Sequence, residues 1–249
     1  MTPDVLDLDT SGASGMVSVP ATLFIELVSD TTPGRGDGVA GLVDQDVVYD
    51  RDGFPYLPGR TIKGLLSEAT DDLIAVLSPA MRAGWRDEVR TLYGRPGSAY
   101  DGAILHIDDA LLPQGLRRGV ARQVRAWRWA QESKPKQPSP SDALAPGDVL
   151  DALTVIRRQT AVDAMSGAPD DRSLRSTRLV VRGLVFAAAL TFEQPPSPRS
   201  LALLDAGALA LRRLGQGRNR GRGCVRCALM ARDGAALSGS YASLLLDGE

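Results

Sequence analysis

Between Arg60 and Leu77, seven apolar residues recur at the helical period: Ile62, Leu65, Leu66, Ala69, Leu73, Val76 and Leu77. They fall on one face, and a helix with one apolar face must lay it against another element. Pro79 ends this helix, and Pro58-Gly59 ends the extended stretch Phe54–Gly59 before it, because proline disfavours helix in the residue it follows. Upstream, residues 17–29 (VSVPATLFIELVS) are β-branched, apolar and partly alternating, as a half-buried strand is. A glycine-rich loop, TTPGRGDGVAG, separates that strand from Leu42–Tyr49, which the turn Asp50-Arg51-Asp52-Gly53 closes.

Downstream, a second helical stretch runs over 81–92, and Ala103–Leu112 reads as a strand leading into Pro113. Residues 115–140 read as a mobile, basic insertion. They carry few long apolar side chains beyond Trp127 and Trp129, which either stack on bases or pack the insertion. Leu179–Phe192 reads as one apolar strand broken by Pro195, Pro196 and Pro198. A helix over 199–214, a Gly/Arg loop over 215–223 and a strand from Cys224 to Ala231 complete the order. Strand, helix, strands, long insertion, strand, helix, strand fits an α+β fold with a ferredoxin-like or RRM-like β-α-β-β-α-β core. The acidic residues 1–16 read as a flexible tail, and 17–249 as a single domain with insertions at about 115–147 and 157–180.

A net charge of −1 taken alone argues against a nucleic-acid partner, but the distribution argues for one. Residues 1–50 hold nine carboxylates and one basic residue, Arg35; residues 211–235 hold seven arginines against Asp233. Of 29 basic residues, 26 are arginine, whose planar fork grips phosphate and stacks on bases. A GC-rich coding bias would raise arginine but not cluster it. No stretch approaches the roughly 18 apolar residues of a membrane span, so the expectation is a cytoplasmic protein with no membrane partner. Cys224 and Cys227 are half a zinc site, and a strand turns residues three apart to opposite faces, so no zinc is expected. His106, the single histidine, reads as structural.

Two motifs combine cations with glycine. In Pro58-Gly59-Arg60-Thr61-Ile62-Lys63-Gly64, Arg60 and Lys63 sit in a first helical turn, where the helix dipole disfavours them. A phosphate held by exposed backbone N–H groups and these cations would explain the placement; solvated side chains on a Pro-Gly turn are the other reading. In Gly215-Gln216-Gly217-Arg218-Asn219-Arg220-Gly221-Arg222-Gly223, Gly215, Gly217, Gly221 and Gly223 allow close backbone approach, and Arg218, Arg220 and Arg222 supply charge for a polyanion. A flexible solvated turn is the alternative. The loop runs from helix into strand and lacks a Walker ending, so it is no nucleotide-cofactor loop. Arg60, Lys63 and the three loop arginines are expected on one RNA-binding surface.

These motifs carry a family resemblance. GFPYLPGRTIKGLL resembles the signature of the RAMP superfamily of CRISPR-associated proteins, and LGQGRNRGRGCV resembles that family's C-terminal glycine-rich loop. Leu92-Tyr93-Gly94, Ile107-Asp108-Asp109-Ala110 and the stretch from Arg157 through Gly167-Ala168 match weaker landmarks in the right order, over roughly residues 20–230. Within the family the chain is most similar to backbone subunits of type III effector complexes. The resemblance implies a subunit that binds guide RNA, meets target RNA and joins other RAMP subunits. It also implies a thumb-like β-hairpin over about 157–180, and the flanks of this segment carry Arg157, Arg158, Arg172, Arg175 and Arg178, which can pair with backbone phosphates.

In catalytic family members an Asp in the loop before the Pro-Gly motif cuts target RNA. In Val43-Asp44-Gln45-Asp46-Val47-Val48 the resemblance gives that position to Asp44, with Mg²⁺ or a similar divalent cation as its metal. The family often has a small residue where Asp46 stands, so Asp46 either shares the metal or marks a register two residues off; an acidic capping loop is the remaining reading. Met165, near the hairpin tip, either wedges between target bases or packs on the domain. Two other functions stay open: an inactive subunit that caps or bridges the complex, and a metal-independent guide-processing ribonuclease. The latter would need His106, whose strand position does not favour it.

Overall fold

The computed structural model of the chain describes residues 18–34, 36, 38, 43–95, 102–133, 138, 140–160, 175–217 and 221–247. Its elements are β1 (Pro20–Leu27), α1 (Gly59–Ala75), α2 (Pro79–Tyr93), β2 (Leu105–Ile107), α3 (Gln114–Glu132) and α4 (Pro146–Leu153). These are followed by β3 (Thr154–Gln159), β4 (Arg175–Val180), β5 (Val185–Phe192), α5 (Pro198–Ala210), β6 (Val225–Ala231) and the short α6 (Leu244–Asp247). Four strands form one antiparallel sheet in the order β2-β5-β1-β6. β3 and β4 form a second antiparallel pair, from Thr154 opposite Val180 to Gln159 opposite Arg175. The protein is therefore a mixed α+β fold.

Alternation decides which sheet face is covered. In β1, Leu23, Ile25 and Leu27 are buried, while Thr22, Phe24 and Glu26 are half-buried on the opposite face. α1 turns Ile62, Leu66, Thr70 and Ile74 inward at a spacing of four. α5 is buried all round from Ser200 to Ala208, as a helix enclosed by other elements must be. Its one carboxylate, Asp205, is 0% exposed and accepts backbone N–H groups from Gly239 (2.8 Å), Tyr241 (2.9 Å) and Ala242 (3.0 Å). Those three bonds fasten the C-terminal segment over α5.

Several sequence expectations are corrected. Residues 115–132 are not a loose insertion: α3 is a 19-residue helix whose Val124 and Ala130 are fully buried. Arginine and alanine are good helix formers, and Val120, Val124 and Trp127 give the helix an inner face that the charge density masks. The apolar run 179–192 is two strands, not one, because Gly183 at φ +84° turns the chain between β4 and β5. α5 stops at Ala210 rather than 214, where Leu211 becomes extended and Arg213 bridges to Cys224. Pro79 does end α1's run, but it also opens α2 as a first-turn proline behind Ser78. Residues 43–49 form isolated bridges.

Two helical glycines lead to opposite expectations. A Cβ at Gly207 of α5 would collide with Thr70 Oγ1, which already bonds Leu66 O (2.7 Å) and the Tyr93 hydroxyl (3.2 Å). Gly207→Ala should lower the urea midpoint by an amount worth about 1–3 kcal/mol. Gly64 of α1 is exposed with no atom within 4 Å of its virtual Cβ. Gly64→Ala should raise stability by about 0.5–1 kcal/mol.

Candidate nucleic-acid interface and active site

The start of α1 is locked to the segment after β2. A Cβ at Gly59 would collide with the Ile107 carbonyl, so only glycine lets these backbones meet. Leu57 and Ala110 exchange hydrogen bonds of 3.0 and 2.8 Å, and the Gly59 N–H donates to Asp109 Oδ1 at 2.8 Å. Two motifs far apart in sequence are thus one structural unit. Asp109 also supplies the carboxylate that a first helical turn favours. The Gly59 N–H is therefore already engaged within the protein. Arg60 is exposed. Lys63 is half-buried; burial lowers its pKa, and Glu193 nearby opposes that.

The glycine loop closes on itself and on the segment after β1. Gly215, Gly217, Gly221 and Gly223 all have positive φ, between +70° and +80°. Leu214 donates to Gly223 O (2.9 Å), Gly223 to Asp30 O (3.1 Å) and Gln216 to Thr32 O (3.0 Å). The Thr31 hydroxyl reaches Leu214 O at 3.0 Å. Pro58 and Thr61 at the start of α1, and Leu214 and Gly215 at the start of the loop, line the same small cleft of about 50 Å³. Arg222 is half-buried; Arg218, Arg220 and Met165 lie outside the described residues.

Asp44 lies against the first described residues of β4. Its backbone N–H donates to Ser176 O (2.9 Å), and its exposed carboxylate accepts from Ser176 N (2.6 Å) and Ser176 Oγ (3.1 Å). Those bonds, the backbone one foremost, hold its pKa below the usual carboxylate value, with Arg175 adding to the effect. Asp46 faces the other way. It is 2% exposed, accepts the Val47 N–H at 2.9 Å and pairs with Arg178, whose Nε lies 3.2 Å away. Arg178 also reaches Asp151 (2.7 Å) and Thr154 Oγ1 (3.0 Å). The two aspartates are thus separated by burial, one at the surface and one in an internal ion-pair network.

The remaining candidates are dispersed. Arg157 pairs with Asp30 at 2.6 Å, and Arg158 is exposed on β3. His106 is half-exposed and bonds Glu193 Oε1 at 2.8 Å. Burial pushes the Cys227 thiol up to about 12. Among the described residues no group of three or more His, Cys, Asp or Glu gathers as a metal cage, and no helix is long and apolar enough to cross a membrane.

Sequence reasoning missed Ser176, Thr31, Thr32 and Asp109. Asp109 stood inside a motif already singled out; the other three are polar residues whose partners lie across the fold, and nothing local marks them. Arg178, expected on the thumb flank to pair with backbone phosphates, is instead 5% exposed and held by Asp46 and Asp151. Thr31 and Thr32, 0% and 1% exposed, join β4 to the glycine loop: Thr31 exchanges backbone bonds with Val180 (3.0 and 2.7 Å), and the Thr32 hydroxyl donates to Arg178 O (3.2 Å).

No family model and no curated protein matches the sequence. Solved structures do. A chain of the type III-B Cmr-beta bound to cognate target RNA, determined by cryo-EM, superposes with a TM-score of 0.59 at 12% identity, over 84% of this chain and 96% of that one. A chain of the type III-B Cmr-beta in its apo state gives 0.57 at 15% identity over the same shares. The chain has the fold of a type III-B Cmr-beta chain, in keeping with the resemblance of its motifs to the RAMP superfamily.

Proposed function

We propose that this chain is a guide-RNA-binding RAMP subunit of a type III-like CRISPR interference complex, and that Asp44 cuts target RNA with a divalent cation. The observation that carries the reading is the shared cleft: Pro58 and Thr61 of one cation-and-glycine motif and Gly215 of the other, more than 150 residues apart in sequence, line one small cleft. The sheet order β2-β5-β1-β6, with α1 after β1 and α5 after β5, supports a ferredoxin-like core. The β3–β4 pair supports the base of a thumb that parts short target segments, and the similar chains come from assemblies, one of them bound to target RNA.

Gly64 adds a second argument. A helix-interior glycine costs about 1 kcal/mol relative to alanine, and among the described residues nothing needs the space. Close approach of an RNA backbone beside Arg60 and Lys63 accounts for it. Gly64→Ala should therefore stabilise the fold while weakening guide-RNA binding about fivefold or more, since uncompensated contact with a polyanion is lost; equal affinity removes Gly64 from the interface.

At Asp44 the donor set fits a one-carboxylate cation site completed by water and RNA phosphate, the common arrangement for Mg²⁺. Such a cation would stabilise charge on the phosphoryl oxygens. Ser176 fixes the carboxylate's orientation and keeps it ionised. Asp46, turned into the Arg178 network, serves as the anchor of the segment rather than as a ligand. The target 2′-hydroxyl passes its proton to solvent water and bonds to the adjacent phosphorus. The P–O5′ bond breaks and the leaving 5′ oxygen takes a proton from water, leaving a 2′,3′-cyclic phosphate and a 5′-hydroxyl.

The test is the purified complex with its guide, offered complementary RNA. Cleavage at a regular spacing set by the subunit repeat, abolished by EDTA, is expected. Binding without cleavage would assign the chain to the inactive subunits, and cleavage that survives EDTA would point to metal-independent chemistry.

A further inference from the structure

α3 carries a surface that the proposed function does not use. Arg118, Arg122, Arg125 and Trp129 follow one another at spacings of four, three and four, which aligns them in a single stripe along the helix. All four are exposed, Trp129 by 58%. The stripe's arginines line a cleft of about 710 Å³ with Phe54 as part of its wall. No carboxylate among the described residues pairs with Arg118, Arg122 or Arg125.

The neighbouring arginines are used differently. Arg117 pairs with Asp50 at 2.6 Å and lies 5.6 Å over the Phe54 ring; Arg128 pairs with Asp52 at 2.9 Å and donates to Arg51 O. These contacts clamp α3 onto the turn before the Pro-Gly motif, so the stripe sits on a fixed support. The division is clean: the arginines that face the body are neutralised, and those that face outward are left charged.

We infer that the α3 stripe is a second binding surface for single-stranded RNA, with phosphates on Arg118, Arg122 and Arg125 and a base stacked on Trp129. Three cations in line, about 6 Å apart along the axis for a spacing of four, suit a flexible polyanion. The exposed indole beside them supplies the sequence-tolerant platform that single strands use. A membrane surface is disfavoured because Val124 and Ala130 are buried in the protein and the exposed apolar side chains, Leu116 and Trp129, stand at opposite ends of the helix, leaving no broad apolar face for lipid. The surface is separate from the α1 cleft but near it. Phe54 lines one and Pro58 the other, and their Cα atoms are at most about 14 Å apart. The inference does not depend on chemistry at Asp44.

The test uses the full chain, a fluorescein-labelled 20-nucleotide RNA of mixed sequence, and vesicles containing phosphatidylserine. The triple variant Arg118→Gln, Arg122→Gln, Arg125→Gln keeps helix propensity, and circular dichroism with a thermal melt verifies its fold. It should bind this RNA at least about tenfold more weakly, with the slope of log K against log salt reduced by about two, as expected for three single-strand phosphate contacts. Trp129→Ala alone should weaken binding about tenfold and remove the quenching of tryptophan emission by RNA. An Arg60→Gln, Lys63→Gln variant tests the α1 surface in parallel. If that variant loses RNA and the folded α3 triple variant does not, the α3 surface is overturned and the proposed function is untouched. If the α3 triple variant loses vesicle binding but keeps RNA binding, the stripe is a lipid surface and the inference is likewise overturned.

Discussion

Asp44→Ala should abolish cleavage of complementary RNA by the assembled complex, with a loss of at least about a hundredfold, the scale of removing one preorganised electrostatic group. Guide and target affinity should change by less than about twofold, because an exposed carboxylate contributes no phosphate contact. The fold should survive, since the backbone bond from Asp44 N to Ser176 O does not involve the side chain. Asp44→Asn keeps an acceptor for Ser176 but no charge, and should be as inactive as the alanine variant. Ser176→Ala keeps the backbone donor and loses only the hydroxyl bond, so it should cut slowly and need more Mg²⁺. The depressed pKa sets the acid limb: Asp44 stays ionised until the pH falls below the ordinary carboxylate value of 3.8. Loss of activity around pH 5–6 must therefore come from another group. Wild-type cutting by Asp44→Ala would take the chemistry away from this residue.

The second large effect is on stability. Arg178 is 5% exposed and is the hub of the β4 edge. Its side chain holds Asp46, Asp151 and Thr154, its N–H donates to Gln45 O (2.9 Å), and its carbonyl accepts from Thr32. Arg178→Ala leaves Asp46 buried without its partner, which costs about 3–5 kcal/mol. For a chain of this size that lowers Tm by roughly 6–20 °C. Arg178→Lys keeps the charge but not the fork that reaches three partners, and should fall between. Asp46→Asn should cost less than Arg178→Ala, because Arg178 retains Asp151 at the surface. A Tm within about 2 °C of wild type for Arg178→Ala would mean that the network contributes little to stability.

The sequence displayed what depends on local spacing. Part of the inward face of α1, the alternation in β1 and the glycines of the 215–223 loop were legible because each is a pattern within one element; on α1, Ile62 and Leu66 were read correctly, Thr70 and Ile74 were missed, and Val76 is exposed past the helix end. Asp44 was legible only through the resemblance. Its separation from Asp46 was not, because burial of a carboxylate depends on Arg178, 132 residues further on. α3 was misread because its charge density hides a narrow inner face at Val120 and Val124. The break between β4 and β5 was missed because valine and leucine flank a single glycine, and only that glycine's φ reveals the turn.

Thr31 and Thr32 have a consequence for how variants combine. One pair of adjacent residues bonds on one side to Val180 and Arg178, and on the other to Leu214 and Gln216. A substitution in the glycine loop and another in β4 therefore act on a shared partner, although neither touches the other. Their free energies will not sum, and a double-mutant cycle between the two regions will close with a residual coupling of about 0.5–3 kcal/mol. Single-site scans that score the loop and β4 as independent would count the same two threonines twice.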